Sequence, residues 1–207
     1  MSTCSDMLSD LNDRIDDVAN VIPEATKIKY LNHGLRAMWP KIYRTVQDTS
    51  LVLAVDDFEY TIPAAHNNGH VVRLEVETGV TTNIWSHLDD FEVVNLNTSK
   101  YFRLRSVPAV YGSRFRVTSA VPLTEFTAAG STYDGPDIAF ELPIWYALGV
   151  VSGRRLENRI DYTRYSTTVA QNGVDINEVM NASQFAYAQF ELLLERFAMP
   201  LPAGYGA

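Results

Sequence analysis

The side chains that could do chemistry are few and scattered. His66 and His70 stand four apart, a spacing that puts two imidazoles on one face of a helix and can serve a metal ion there. Here they flank Asn67-Asn68-Gly69, which is a turn signal. No cysteine or acid close by supplies a third ligand. A solvated hairpin loop is the simpler reading, and no metal or other cofactor is expected. Asp56-Asp57 and Asp89-Asp90 are paired carboxylates. Acid–base catalysis needs two carboxylates across a cleft with their pKa values pushed apart. Adjacent acids on a strand instead point to opposite faces or sit in a turn. His33 and His87 are isolated, and Cys4 has no histidine near it in sequence. Cys4 is expected in a frayed end. The chain lacks G-x-S-x-G, a phosphate loop, G-x-G-x-x-G and Cys-x-x-Cys. These observations point away from an enzyme. A metalloprotein using His66, His70 and a remote acid is the form that catalysis or metal binding would take.

Two charged groups are more concentrated. Arg103, Arg105, Arg114 and Arg116 form two pairs, each spaced by two, so on strands each pair shares a face. Tyr101 and Phe115 lie close by, and no acid occurs between Tyr101 and Ser119. The group could contact an acidic partner or nucleic acid, or it could be a solvated sheet face. Asp10, Asp13, Asp16 and Asp17, with Asp6, crowd the first predicted helix against a single Arg14. Arg154, Arg155, Arg159 and Arg164 gather near a helix end, where positive charge suits the macrodipole. Overall, 17 basic residues against 25 acidic ones give a net charge of −8. Such a chain is unsuited to wrapping DNA or coating an anionic membrane. It suits a wall that DNA passes without sticking.

The elements that must carry these residues change period twice. Leu8, Leu11, Ile15 and Val18 fall on one helical stripe. Thr3 and Asp6 have capping-box spacing, with Asp in place of Glu. A second helix runs from about Pro23 to Ile42 on Ile28, Leu31, Leu35, Met38, Trp39 and Ile42, weakened by Gly34 and ended or kinked by Pro40. From Leu51 the period falls to two. Strands are expected near 51–55, 58–62, 72–76, 91–96, 101–105 and 114–119, in a sandwich or small barrel. Helical spacing returns from about Pro143 to Arg159. A last helix follows Asp175 and Glu178, a second capping box, and ends before Pro200.

The expected fold class is therefore α+β. Its N- and C-terminal helices, 1–45 and 136–199, would form a four-helix bundle, with an antiparallel β region inserted at 46–135. Residues 200–207 would be an extended tail. From Met199 to Ala207 the chain is apolar and carries no charged side chain, which reads either as an arm ordered by a partner or as a frayed end. The lone Cys4 makes the fold independent of an oxidising compartment. Met1 to Asp10 show no basic and apolar signal pattern, and no run approaches a membrane span. Asn97-Thr98-Ser99 and Asn181-Ala182-Ser183 then read as chance glycosylation matches.

Three stretches resemble a known family. Ala25-Thr-Lys-Ile-Lys-Tyr-Leu-Asn-His-Gly-Leu-Arg is similar to the second helix of tailed-phage head-to-tail adaptor (connector) proteins. Phe58-Glu-Tyr-Thr-Ile-Pro-Ala is similar to the family's aromatic strand. Tyr165-Ser-Thr-Thr-Val-Ala-Gln-Asn-Gly-Val-Asp, followed by a long helix, is similar to its C-terminal part. The resemblance spans about residues 5 to 199, with a longer β insertion here.

It implies a structural, non-enzymatic virion protein in the neck between head and tail, assembled in the host cytoplasm. Such proteins form a homo-oligomeric ring, usually a dodecamer, below the portal protein. The ring meets a further neck or tail protein on its other side and touches no membrane. Double-stranded DNA passes through its lumen without sequence-specific binding. The C-terminal segment would dock on the portal through Phe197, Met199, Pro200, Leu201, Pro202 and Tyr205. The arginines at 103, 105, 114 and 116 would form a subunit or tail interface, and Asp10, Asp13, Asp16 and Asp17 an acidic helix face. The alternative is a binding module whose β region recognises a protein or glycan through Trp85, Tyr101 and Tyr111.

Overall fold

The computed structural model describes residues 2–15, 22–54, 57–66, 68–78, 83–96, 99–106, 112–165 and 176–200. The chain divides into two compact units. Met1–Ile42 and Leu123–Met199 form one, and Tyr43–Pro122 and Pro200–Ala207 the other. The class is α+β: the described residues hold four α-helices and two antiparallel sheets.

The helical unit is built on α1 (Cys4–Ile15), α2 (Glu24–Met38), α3 (Leu142–Tyr165) and α4 (Ile176–Arg196). Asp6 and Thr3 close the start of α1 reciprocally. The Thr3 backbone N–H donates to Asp6 Oδ2 at 2.7 Å, and the Asp6 N–H donates back to Thr3 Oγ1 at 3.3 Å, so a helix start is satisfied by side chains. Cys4, Met7, Leu8, Leu11 and Ile15 then fall on one buried face. Cys4 is not in a frayed end. It is 0% exposed, and its backbone N–H donates to the Ser131 carbonyl at 2.8 Å. α2 ends at Met38, before Pro40.

These helices do not make the expected four-helix bundle. α3 is the hub, packed against α4, α2 and α1, while α1 and α2 touch only lightly. α4 lies along α3, and among the described residues it makes no comparable contact with α1 or α2. The reason lies in the irregular chain from 123 to 141. Leu123, Phe126, Tyr133 and Ala139 enter the same apolar core as the helices, so a non-helical segment occupies flank that a bundle would give to a helix. Asn32 of α2 pins that segment. Its side-chain amide donates to the Phe126 carbonyl at 2.9 Å, and its Oδ1 accepts the Phe126 N–H at 2.8 Å. Gly34 sets the approach of α2 to α3, because a Cβ there would meet Pro143 Cα at 2.8 Å.

The β unit holds two sheets. One has the order β1 (Arg44–Asp48), β7 (Phe115–Val121), β3 (His70–Glu77), β4 (Trp85–His87). The other has the order β2 (Glu59–Thr61), β6 (Ser99–Leu104), β5 (Phe91–Leu96). Residues 51–54 do not form the expected regular strand, and Val55 lies outside the described residues. Val52 makes an isolated bridge to Arg114, flanked by backbone hydrogen bonds from the Leu53 N–H to the Ser113 carbonyl and from the Phe115 N–H to the Leu51 carbonyl, both 2.8 Å, while the half-exposed β1 supplies the edge partner of β7. The sheets share one core. Tyr60 stacks on Phe102 with centroids 5.1 Å apart, and Phe115 meets both rings edge-on at 4.9 and 5.2 Å. Leu74, Val76 and Val117 complete it.

Candidate interaction surface

Among the described residues of the helical unit the large exposed apolar side chains are Ile138, Phe185 and Leu192, and the last two lie on α4, whose inner face explains why. Ser183 Oγ donates to the Gly149 carbonyl at 2.9 Å. A Cβ at Gly149 would stand 3.0 Å from the Tyr187 ring, so α4 approaches α3 closely there. Tyr146 of α3 meets Tyr187 and Phe190 edge-on at 5.6 and 5.3 Å. Burial beside Tyr146 pushes the Tyr187 phenol up. With that face spent, the opposite side of α4 is left over. Phe185 and Leu192 are each 56% exposed, and Ala188 between them is exposed too. Seven residues apart, Phe185 and Leu192 share one stripe. Trp145 meets Phe185 edge-on at 5.9 Å and extends the apolar surface onto α3.

A shallow groove of about 510 Å³ runs beside this stripe, lined by Lys41, Ala188, Phe190, Glu191, Leu192, Leu194 and Glu195. Lys41 pairs with Glu195 across it. The Lys41 carbonyl also accepts the Met199 N–H at 2.7 Å, which fixes where the chain leaves α4. Of the residues expected to dock on a portal, Phe197 is partly buried against the helical core, with the Arg196 guanidinium 5.5 Å from its ring centre. Met199 is half-buried and Pro200 exposed. Leu201, Pro202 and Tyr205 lie outside the described residues.

No protein-family model matches this chain, and comparison with the curated proteins gives no match.

The arginines are not one cluster. Arg103 lies on β6, and Arg105 follows that strand. Arg116 lies on β7 of the other sheet, and Arg114 just precedes it. Cross-strand acids meet three of them. Arg103 Nε donates to Glu59 at 2.7 Å. Arg114 grips Glu77 with two hydrogen bonds of 3.0 and 2.9 Å. Arg116 Nε donates to Glu75 at 2.6 Å. Glu75 and Glu77 are buried, so their charges depend on these partners. The Arg114 hydrogen bonds, aided by the Asn83 N–H, hold the Glu77 carboxyl down to about 2. Arg116 likewise holds Glu75 below the usual carboxylate range. Trp85 lies under both guanidinium groups, at 4.8 Å from Arg116 and 5.7 Å from Arg114. Trp85 and Tyr101 belong to different sheets, and Tyr111 lies outside the described residues.

On the acidic helix, Asp10 and Asp13 are exposed, while Asp16 and Asp17 lie outside the described residues. His66 closes a 3-10 turn, Ala64–His66, and is 1% exposed. Among the described residues neither ring nitrogen has a hydrogen-bond partner, and burial pushes its pKa down. His70 instead starts β3 opposite Ala120. Among the described residues no three His, Cys, Asp or Glu side chains are placed to hold a metal ion. Burial, with Glu24 nearby, raises the Cys4 thiol to about 11, far from a reactive thiolate. No described helix is long and apolar enough to cross a membrane.

The sequence marked the last helix by its capping box and its end before Pro200, but not this outer stripe. A signal was present in Leu192-Leu193-Leu194. Three consecutive helical residues sweep about 200°, more than one buried face can cover.

Proposed function

We propose that this chain is a structural head-to-tail adaptor of a tailed phage. Copies would assemble as a ring, a dodecamer by resemblance, below the portal protein in the virion neck. The ring would bind a further neck or tail protein and surround the DNA channel without reading sequence. The observation that carries this reading is the exposed stripe of Phe185, Ala188 and Leu192 on α4. In sequence, α4 is followed by the segment from Met199 to Ala207, which is apolar and carries no charged side chain. An uncovered apolar helix face followed by an uncharged arm suits docking on a partner protein. The resemblance of residues 25–36 and 58–64 to connector proteins supports the choice of partner.

Negative-stain imaging tests it. The full chain is mixed with purified portal rings encoded by the same genome. Added density in a ring at one end of the portal is the expected outcome. Bare portal rings at saturating chain concentration contradict the reading.

A further inference from the structure

Two outer helix faces of the helical unit carry opposite charge at the same spacing. On α1, Asp6, Asp10 and Asp13 fall at i, i+4 and i+7, opposite the buried Cys4, Met7, Leu8, Leu11 and Ile15. All three are exposed. On α2, Lys29, His33 and Arg36 fall at i, i+4 and i+7, opposite the buried Lys27, Leu31, Leu35 and Met38. Lys29 and Arg36 are exposed and His33 half-exposed. At 1.5 Å per residue each stripe spans about 10 Å. Arg154 of α3 widens the basic stripe, with its guanidinium 5.0 Å over the Tyr30 ring. Burial, with Arg36, Lys29 and Arg154 nearby and Glu125 opposing them, pushes the His33 pKa down, so Lys29 and Arg36 carry the charge of this stripe. Glu125 lies 3.5 Å from Arg36, and both side chains are about half exposed.

We infer that the basic face of α2 docks the acidic face of α1 from a second copy of this chain. Each stripe points away from its own core, so a copy presents them to neighbours. Two different patches on one subunit make a heterologous contact, which closes into a ring or runs on as a chain. The occupant follows from charge complementarity: Lys29 and Arg36 stand seven residues apart on α2, as Asp6 and Asp13 do on α1. Single exposed ion pairs contribute little affinity. A row of them sets register and partner choice, and it gives the contact a salt dependence. The inference rests on the reading that copies of the chain assemble, and it names the surfaces they use.

Charge reversal tests it with the full chain. Variant one carries Asp10→Lys and Asp13→Lys, and variant two carries Lys29→Glu and Arg36→Glu. All four sites are exposed, and circular dichroism checks that both variants fold. Sedimentation velocity is run on each variant alone and on their mixture, at about 0.1 M and about 1 M salt, where the Debye length falls from about 10 Å to about 3 Å. Each variant alone should sediment as a monomer, because like charges then face each other. The mixture should associate at least tenfold more tightly than either variant alone, and lose that gain at high salt. A mixture no more associated than its parts overturns the inference. So does binding of a double-stranded oligonucleotide through Lys29 and Arg36 without association of the mixture, which makes the face a phosphate site. Failure here leaves portal binding of the wild-type chain intact, whereas failure of the adaptor reading leaves the mixture associating but the portal rings bare.

Discussion

In the β unit, Arg114 and Arg116 lean over Trp85 and are gripped by the buried Glu77 and Glu75. In the helical unit, Lys29 and Arg36 stand on the outside of α2, and Phe185 and Leu192 stand on the outside of α4. The β unit thus answers most of its arginine charge internally, through residues that adjacent strands bring opposite each other. Its large exposed apolar side chains, Val52, Phe58 and Ile84, come from three separate segments. The helical unit leaves both a charge pattern and an apolar stripe in regular array. Apart from the Asp6 cap and the Arg36–Glu125 pair, the fold makes little use of these arrays, and such a surface is where a protein partner gains most. On the proposed reading, the helical unit is the one that meets partners.

That contrast can be broken from either side. The largest effect is expected in the β core. Phe102→Ala removes the ring that stacks on Tyr60 and abuts Phe115, and it should cost about 3–5 kcal/mol. Urea unfolding followed by fluorescence of Trp85, the β unit's only tryptophan, in a background with Trp39→Phe and Trp145→Phe, measures it. In the helical unit, Asn32→Ala strips the buried Phe126 N–H and C=O of their partner and should cost about 2–4 kcal/mol, read by the circular dichroism melt. Gly34→Ala drives a methyl group into the Pro143 backbone and should cost about 1–3 kcal/mol in the same melt.

Acid should act on the β unit through Glu77. Its folded pKa of about 2 lies below the ordinary 4.5. The stability it contributes is therefore present above about pH 4.5 and is lost as pH falls toward 2. Glu77→Gln should flatten the Trp85 unfolding midpoint over that window. The smallest effect on stability is expected for Phe185→Ser with Leu192→Ser. Both side chains are more than half exposed, so the melt should move by no more than about 0.5 kcal/mol per site, while assembly suffers.

Much of the local structure was legible. The stripe of Leu8, Leu11 and Ile15 named the buried face of α1, because helix period and burial coincide there. Five of the expected strands coincide closely with β2, β3, β5, β6 and β7, where aromatic and β-branched residues alternate with polar ones. β1 escaped because Arg44-Thr-Val-Gln-Asp has one apolar residue and holds its place by backbone pairing to β7. The helix arrangement was not legible. Periodicity says which face of a helix is apolar and not what covers it. Phe126 and Tyr133, in a stretch without period, provide part of that cover. The arginine partners escaped for a related reason: Glu75 and Glu77 are about 40 residues from Arg116 and Arg114 in sequence and meet them only through the β3–β7 register.

The central claim is that the outer stripe of α4 serves assembly and not folding. Cosedimentation of the full chain with portal rings, comparing wild type with the Phe185→Ser, Leu192→Ser double variant, tests it most directly. The account predicts that wild type pellets with the rings, while the folded variant stays in the supernatant. A double variant that pellets as fully as wild type contradicts it.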